Sequence, residues 1–394
     1  MATMALRNGY DFLIQWHLTE RCNLRCRHCY QTAHGSFELS LDEIRTSLEE
    51  IGEMFDAWSE AYDVRFSPSF NITGGEPLLR EDLFEVLSEL RRRQYEIFLL
   101  TNGTLIDRER ARLLSDLGMK GVQVSIEGCE EVHDSMRGEG SFCRAVDGIG
   151  HLLDAGVPVT LNVTLSRLNA ASMRKVVLFA SHLGVRRVGF SRLVPAGRGL
   201  GLASEMLQPQ DMRQLYETLF SLDSMNLEVV TGDPVASQFR AGLRGEGETR
   251  ARDGAPSGGC SAGVAGITIQ ADGTLVPCRR LPIPLGNIRT DSLREVWAAS
   301  PVLDALRDKG RYGGACGTCE RWEQCRGCRA IAYAYARSQG RDDFLAGDPQ
   351  CFLADEQRGR RSVTRSSKRS ADQRRNIRTT LRTSSGHVLR RGEA

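Results

Sequence analysis

The chain of 394 residues lacks any apolar run approaching the roughly 18 residues that would cross a bilayer. It also lacks a signal-type leader, because Met1-Ala2-Thr3-Met4-Ala5-Leu6-Arg7 opens without an apolar stretch. Together these absences predict no membrane contact and a cytoplasmic location. Net charge is low as well, at +2, but it is unevenly spread, since residues 358–394 hold 12 Arg or Lys against only Asp372 and Glu393. That stretch has almost no apolar periodicity, so burial cannot offset its ordering entropy and a disordered tail over 357–394 is expected. Basic tails can bind nucleic acid; a solvated extension with no nucleic-acid partner is the plainer expectation. No internal repeat is readable.

What the sequence has in quantity is cysteine, 12 residues in a chain whose length and leader argue against a secreted disulfide framework. Metal ligation accounts for them better. Cys22, Cys26 and Cys29 stand near the start, seven more run from Cys260 to Cys351, and Cys129 and Cys143 lie apart. These two outliers fit no ligand spacing and read as buried small hydrophobes. A hydrophobic content of 41% allows one large core and a smaller second one. The expected domains are 10–235, a linker at 236–259 rich in Gly, Arg and Glu, a cysteine-rich domain at 260–356, and the tail.

Between residues 12 and 191 short apolar or β-branched runs alternate with amphipathic stretches, the pattern of parallel βα units. Six strands are predicted, at 12–18, 70–73, 97–101, 122–126, 159–165 and 186–191. In the first helix Leu41, Ile44, Leu48, Ile51 and Phe55 recur at helical spacing, and Ser40 with Glu43 has capping-box spacing. Right-handed crossovers would curl such units into a partial barrel or a doubly wound sheet, with the working edge at the strands' C-terminal ends. Further on, 267–270 and 274–276 flank Asp272-Gly273, a hairpin signal, and 291–303 could supply one helix.

Cys22-x3-Cys26-x2-Cys29 begins four residues after the first predicted strand. Three thiolates cannot fill the four iron positions of a cubane, and the missing ligand leaves one iron free to chelate a small molecule. A structural zinc site would prefer four ligands, and no fourth Cys or suitably placed His follows nearby. The trio, with His28 as the aromatic of Cys-x3-Cys-x-aromatic-Cys, resembles the radical S-adenosylmethionine (SAM) superfamily. The resemblance implies a partial (β/α)6 TIM-type barrel of α/β class and a 4Fe-4S cluster on Cys22, Cys26 and Cys29. It also implies an electron donor such as flavodoxin or ferredoxin, and reductive cleavage of SAM to a 5'-deoxyadenosyl radical that abstracts hydrogen from a substrate. No protein side chain is assigned a catalytic role of its own.

Gly74-Gly75-Glu76-Pro77 follows the second strand and resembles the family's glycine-rich element that meets the methionine amino group; glycines admit close backbone approach. By the same resemblance Ser125 and Arg137 would hold the methionine carboxylate, Asn162 the ribose and Leu193 the adenine. Thr101-Asn102-Gly103 is expected to line the substrate side of the same rim.

The later cysteines, Cys260, Cys278, Cys316, Cys319, Cys325, Cys328 and Cys351, resemble the SPASM extension of radical enzymes that modify peptides and proteins. This implies a smaller cysteine-rich α+β domain with two auxiliary 4Fe-4S clusters, one on Cys316, Cys319, Cys325 and Cys351, the other on Cys260, Cys278 and Cys328 with one ligand open. Two residues separate Cys325 from Cys328, where the family usually has three. Zinc is the physical rival for Cys-x2-Cys pairs.

The resemblance implies a peptide maturase, a radical SAM oxidoreductase acting on a peptide or protein. Sulfatase-maturing relatives carry Asp directly after the second array cysteine, whereas Arg279 stands here. With 21 residues before Cys22, leader recognition is expected from a separate protein. The alternative is tetrapyrrole side-chain modification of the haem or haem d1 type. Those enzymes share stretches similar to Arg192-x-x-Pro195-x-Gly197-Arg198-Gly199 and Asp348-Pro349-x-Cys351, whose Arg192 and Arg198 could pair with propionates or peptide carboxylates. A non-catalytic iron-sulfur or nucleic-acid-binding protein is the third reading.

Overall fold

The structure, a computed structural model, describes residues 9–31, 37–222, 227–236 and 258–353. Most of the expected linker (237–257) and the whole expected tail therefore lie outside the described residues. The chain divides into a compact unit Met1–Gln350 and a second, Cys351–Ala394, and all the strands belong to the first.

Six parallel strands frame that unit: β1 (Gly9–His17), β2 (Arg65–Thr73), β3 (Glu96–Thr101), β4 (Gly121–Ser125), β5 (Val159–Leu165) and β6 (Arg187–Arg192). They pair in sequence order, as expected for right-handed βα units. β1 and β2 begin earlier than their apolar cores suggest, because they pair continuously from Gly9↔Arg65 to His17↔Thr73. Helix α1 (Leu41–Tyr62) starts with the predicted reciprocal cap: the Glu43 N–H donates to Ser40 Oγ at 3.3 Å and the Ser40 N–H to Glu43 Oε2 at 2.7 Å. Its Ile44, Leu48, Ile51 and Phe55 are buried. A seventh strand, β7 (Glu228–Val230), extends the sheet beside β6; three residues are too few to show a period.

The cysteine-rich region supplies the predicted hairpin, β8 (Gly266–Ile269) and β9 (Thr274–Val276), with Gly273 at φ +87° in its turn, where glycine is favoured. A short β10 (Gly286–Asn287) follows. β8 also pairs in parallel with β1, from Leu13↔Gly266 to Trp16↔Ile269. Among the described residues one sheet of ten strands therefore runs β10-β9-β8-β1-β2-β3-β4-β5-β6-β7. Phe12 of β1 meets the Trp297 ring edge-on at 4.8 Å across this junction. The single helix expected over 291–303 is two, Leu293–Ala299 and Pro301–Arg307, because Pro301 has no N–H to continue the first and suits the opening position of the second.

Candidate functional site

The cysteine loop leaves the C-terminal end of β1 and is pinned from several sides. The Arg27 N–H donates to the Met136 carbonyl at 2.8 Å and the Gly199 N–H to the Cys29 carbonyl at 3.0 Å, while Arg198 Nε donates to the Cys26 carbonyl at 2.9 Å. Gly197, at φ +54°, lies so close that a Cβ there would sit 2.7 Å from the Tyr30 carbonyl. Cys22 is exposed, Cys26 buried and Cys29 between the two.

All three cysteines line one cavity of about 690 Å³ at the mouth of the barrel. Gly74, Gly75, Ser125, Arg137, Asn162 and His28 line it too, as do Thr101 and Asn102. Gly75 presses on the loop before the trio, where an added Cβ would lie 2.2 Å from the Arg21 carbonyl. Glu76, Pro77 and Leu193 are not in its wall. The Glu76 carboxylate is buried and accepts from Thr101 Oγ1 at 2.7 Å, the Asn102 N–H at 2.8 Å and the Leu78 N–H at 3.2 Å. It thus ties the glycine-rich turn to the end of β3; burial pushes its pKa up against these three hydrogen bonds. Leu193 is packed in an apolar cluster with Leu202, Leu281 and Leu306.

Beside Cys26 lies a buried charge relay. Arg137 reaches Glu127 Oε1 through Nε at 3.0 Å and Nη2 at 2.5 Å, and its Nη1 lies 3.7 Å from Cys26 Sγ. His28 Nε2 approaches the same Glu127 oxygen at 3.3 Å, and the Thr164 N–H donates to the other at 2.8 Å. Burial opposes ionisation of Glu127, but Arg137 and His28 outweigh it and hold the carboxyl well below its usual range. His133, whose Nδ1 accepts from the Glu127 N–H at 3.2 Å, is lowered to about 4 by burial and then by Arg137. The sequence shows Glu127 at a strand end; only the fold places Arg137 and His28 on it.

Gln31 went unforeseen, since nothing in its sequence setting marks it. Its Nε2 donates to the Gly74 carbonyl at 3.1 Å and lies 3.0 Å from His17 Nδ1, joining the cysteine loop to the glycine-rich turn. Two expectations are corrected. Cys129 and Cys143 are exposed, not buried, because one precedes helix Glu130–Arg137 and the other lies on the outer face of Ser141–Asp154. Arg192 is not available for a substrate carboxylate: it is buried against Asp233 (Nε–Oδ2 2.5 Å) and Asp348 (Nη2–Oδ2 2.8 Å). Arg198 for its part gives Nε to the Cys26 carbonyl.

In the cysteine-rich region Cys260, Cys278 and Cys328 share one apolar cluster, whereas Cys316 packs with Tyr312 and Trp322 in another. Cys319 and Cys325 flank the latter in sequence, and Cys351 belongs to the second unit. Among the described residues no three His, Cys, Asp or Glu side chains already form a metal cage. The surroundings nevertheless suit an anionic iron-sulfur group. Arg329 is buried with Nη2 3.5 Å from Cys316 Sγ, and the Nε atoms of Arg280 and Arg329 are buried without partners among the described residues. Burial raises the Cys26 thiol, and it raises Cys328 to about 12 against Arg280 and Arg192. Such thiols ionise when a metal supplies the balancing charge.

Residues 16–180 match the Radical SAM superfamily and residues 260–329 the SPASM iron-sulfur cluster-binding domain. An AdoMet-dependent heme synthase of Methanosarcina barkeri is 32% identical over 86% of this chain and 96% of that enzyme. The mycofactocin maturase MftC of Mycobacterium tuberculosis is 31% identical over 81% of this chain and 78% of its own length. The solved structure of anSMEcpe with bound AdoMet has the same fold, with a TM-score of 0.66 at 21% identity, covering 92% of this chain and 99% of that one. The cysteine trio on a parallel-barrel rim and the match of a whole relative agree: this chain belongs to the radical SAM superfamily and is a SAM-binding 4Fe-4S enzyme with a SPASM domain.

Proposed function

We propose that this enzyme cleaves SAM at the barrel mouth and abstracts hydrogen from a side chain of a peptide or protein. The observation that carries the reading is the joint lining of one cavity by Cys22, Cys26 and Cys29 with Gly74, Gly75, Ser125, Arg137 and Asn162. Cys22, Cys26 and Cys29 would hold a cluster whose chemistry would be one-electron reduction of the sulfonium. The chain's own residues bind and orient. Gly74 and Gly75 bring the backbone close to the amino group of the methionine moiety, Ser125 and Arg137 meet its carboxylate, and Asn162 meets the ribose. Glu127 holds Arg137 in place. Cys260, Cys278 and Cys328 would carry one auxiliary cluster, and Cys316, Cys319 and Cys325 would supply three ligands of a second.

The cavity of about 690 Å³ is open at its mouth, where a substrate side chain can approach the bound cosubstrate. A peptide presents its side chains in that way. The likeness to MftC supports it. The tetrapyrrole reading draws support from the likeness to AdoMet-dependent heme synthase, but the Arg192 stretch no longer adds to it, since Arg192 is bound to Asp233 and Asp348.

Anaerobically reconstituted protein should hold about twelve irons in three clusters and release methionine when reduced with SAM. Changing Cys22, Cys26 and Cys29 together to Ala should remove about four irons and all cleavage. Zinc in place of iron, or cleavage surviving the triple change, overturns the reading. Mass spectrometry after incubation with peptides encoded beside the gene, or with Fe-coproporphyrin III, separates the two substrates.

A further inference from the structure

Of the arginines around the cavity, Arg21 is with Glu38, Arg137 with Glu127, and Arg192 with Asp233 and Asp348, while Arg198 and Arg280 donate to the Cys26 and Arg192 carbonyls and Arg25 is exposed to water. Arg279 differs. It is half-buried in the cavity wall, and among the described residues its guanidinium faces the Tyr30 ring, with Cζ 5.9 Å from the centroid, and the buried His17, with no carboxylate paired to it. Its backbone is fixed by the turn in which the Leu281 N–H donates to the Cys278 carbonyl at 2.8 Å. Tyr30 directly follows Cys29 and Arg279 directly follows Cys278, and both line the cavity, so Arg279 links the cysteine trio to the auxiliary cysteines along one wall. A partly desolvated guanidinium without a counter-ion is unfavourable, and a carboxylate meeting its planar fork gains two charge-assisted hydrogen bonds.

We propose that Arg279, backed by the Tyr30 ring, anchors a carboxylate of the substrate and thereby selects an acidic peptide, through an acidic side chain or its C-terminus. The choice of a peptide as carrier rests on the reading above, while the carboxylate follows from Arg279 itself. Propionates of a tetrapyrrole offer the same chemistry, so both sources are tested.

Anaerobic, reconstituted full-length protein with SAM bound is titrated with a hexaglutamate peptide and its hexaglutamine counterpart, and separately with Fe-coproporphyrin III and its tetramethyl ester. The native chain should prefer the carboxylate member of at least one pair by roughly tenfold or more. Arg279→Gln should abolish that preference, and Arg279→Lys should retain part of it as a point charge. Preference within the peptide pair supports the acidic peptide; preference confined to the porphyrin pair overturns the peptide carrier and leaves the carboxylate anchor standing. The anchor is overturned if the native chain shows no preference in either pair, if Arg279→Gln keeps the preference, or if SAM affinity falls by the same factor, which would make Arg279 a cosubstrate contact. Failure of the function itself shows separately, as absence of SAM cleavage in the native chain.

Discussion

Glu127 is the residue on which the rim depends most. Arg137, His28 and a backbone N–H converge on its buried carboxylate, so Glu127→Gln leaves the buried Arg137 without a counter-charge. Breaking a buried pair from one side costs about 3–5 kcal/mol. A clear fall in Tm and weakened SAM binding in equilibrium dialysis are expected; unchanged values would show that Arg137 does not need this partner. Two histidines add a pH signature. Burial, then Arg279, lowers His17 to about 3, and burial, then Arg137, lowers His133 to about 4, against 6.5 for the free side chain. The folded state therefore binds fewer protons than the unfolded one below pH 6.5, so this contribution is complete above that value and is lost as pH falls toward the folded pKa values. Each histidine should cost about 1 kcal/mol between pH 6.5 and 5.5. Melting at these two pH values tests it, and His133→Gln should make the loss shallower.

At the scale of the element, the glycine-rich turn and the cysteine loop are built as a single contact surface. The Gly75 N–H donates to the Thr19 carbonyl at 2.7 Å and the Glu76 N–H to the Arg21 carbonyl at 2.8 Å, and no side chain fits between them. Gly75→Ala forces backbone against backbone, so the loop carrying Cys22 has to move. The expected outcome is loss of SAM cleavage with most of the iron bound to the later cysteines retained. Full cleavage by this variant would mean that the turn and loop can part without harm. The Gly197-Arg198-Gly199 segment acts from the opposite side through its bonds to the Cys26 and Cys29 carbonyls.

At the scale of the whole molecule, the cysteine-rich region is part of the same sheet as the barrel. Strand β8 pairs with β1, and Trp297 covers Phe12. A chain cut after residue 236 would expose the edge of β1 and that aromatic face, which favours aggregation. It should be less soluble and melt lower than the full chain by calorimetry; a soluble fragment of equal Tm would show that the barrel stands alone. The Arg192 pairs with Asp233 and Asp348 work in the same sense, because Asp348 also accepts the Cys328 N–H at 2.8 Å. Arg192→Ala is expected to lower Tm and auxiliary iron content together.

Local chemistry determined much of this protein. The six strands, the Ser40–Glu43 cap, the Asp272-Gly273 hairpin and the grouping of cysteines were legible because period, capping and ligand spacing act over a few residues. Tertiary structure alone decided the rest, since it depends on partners far apart in the chain. It bound Arg192 to Asp233 and Asp348, turned the Glu76 carboxylate onto Thr101 and Asn102, and joined β8 to β1. It also left Arg279 facing the cavity with no counter-ion among the described residues, because pairing of a buried charge is fixed by which distant groups the fold brings within hydrogen-bond reach.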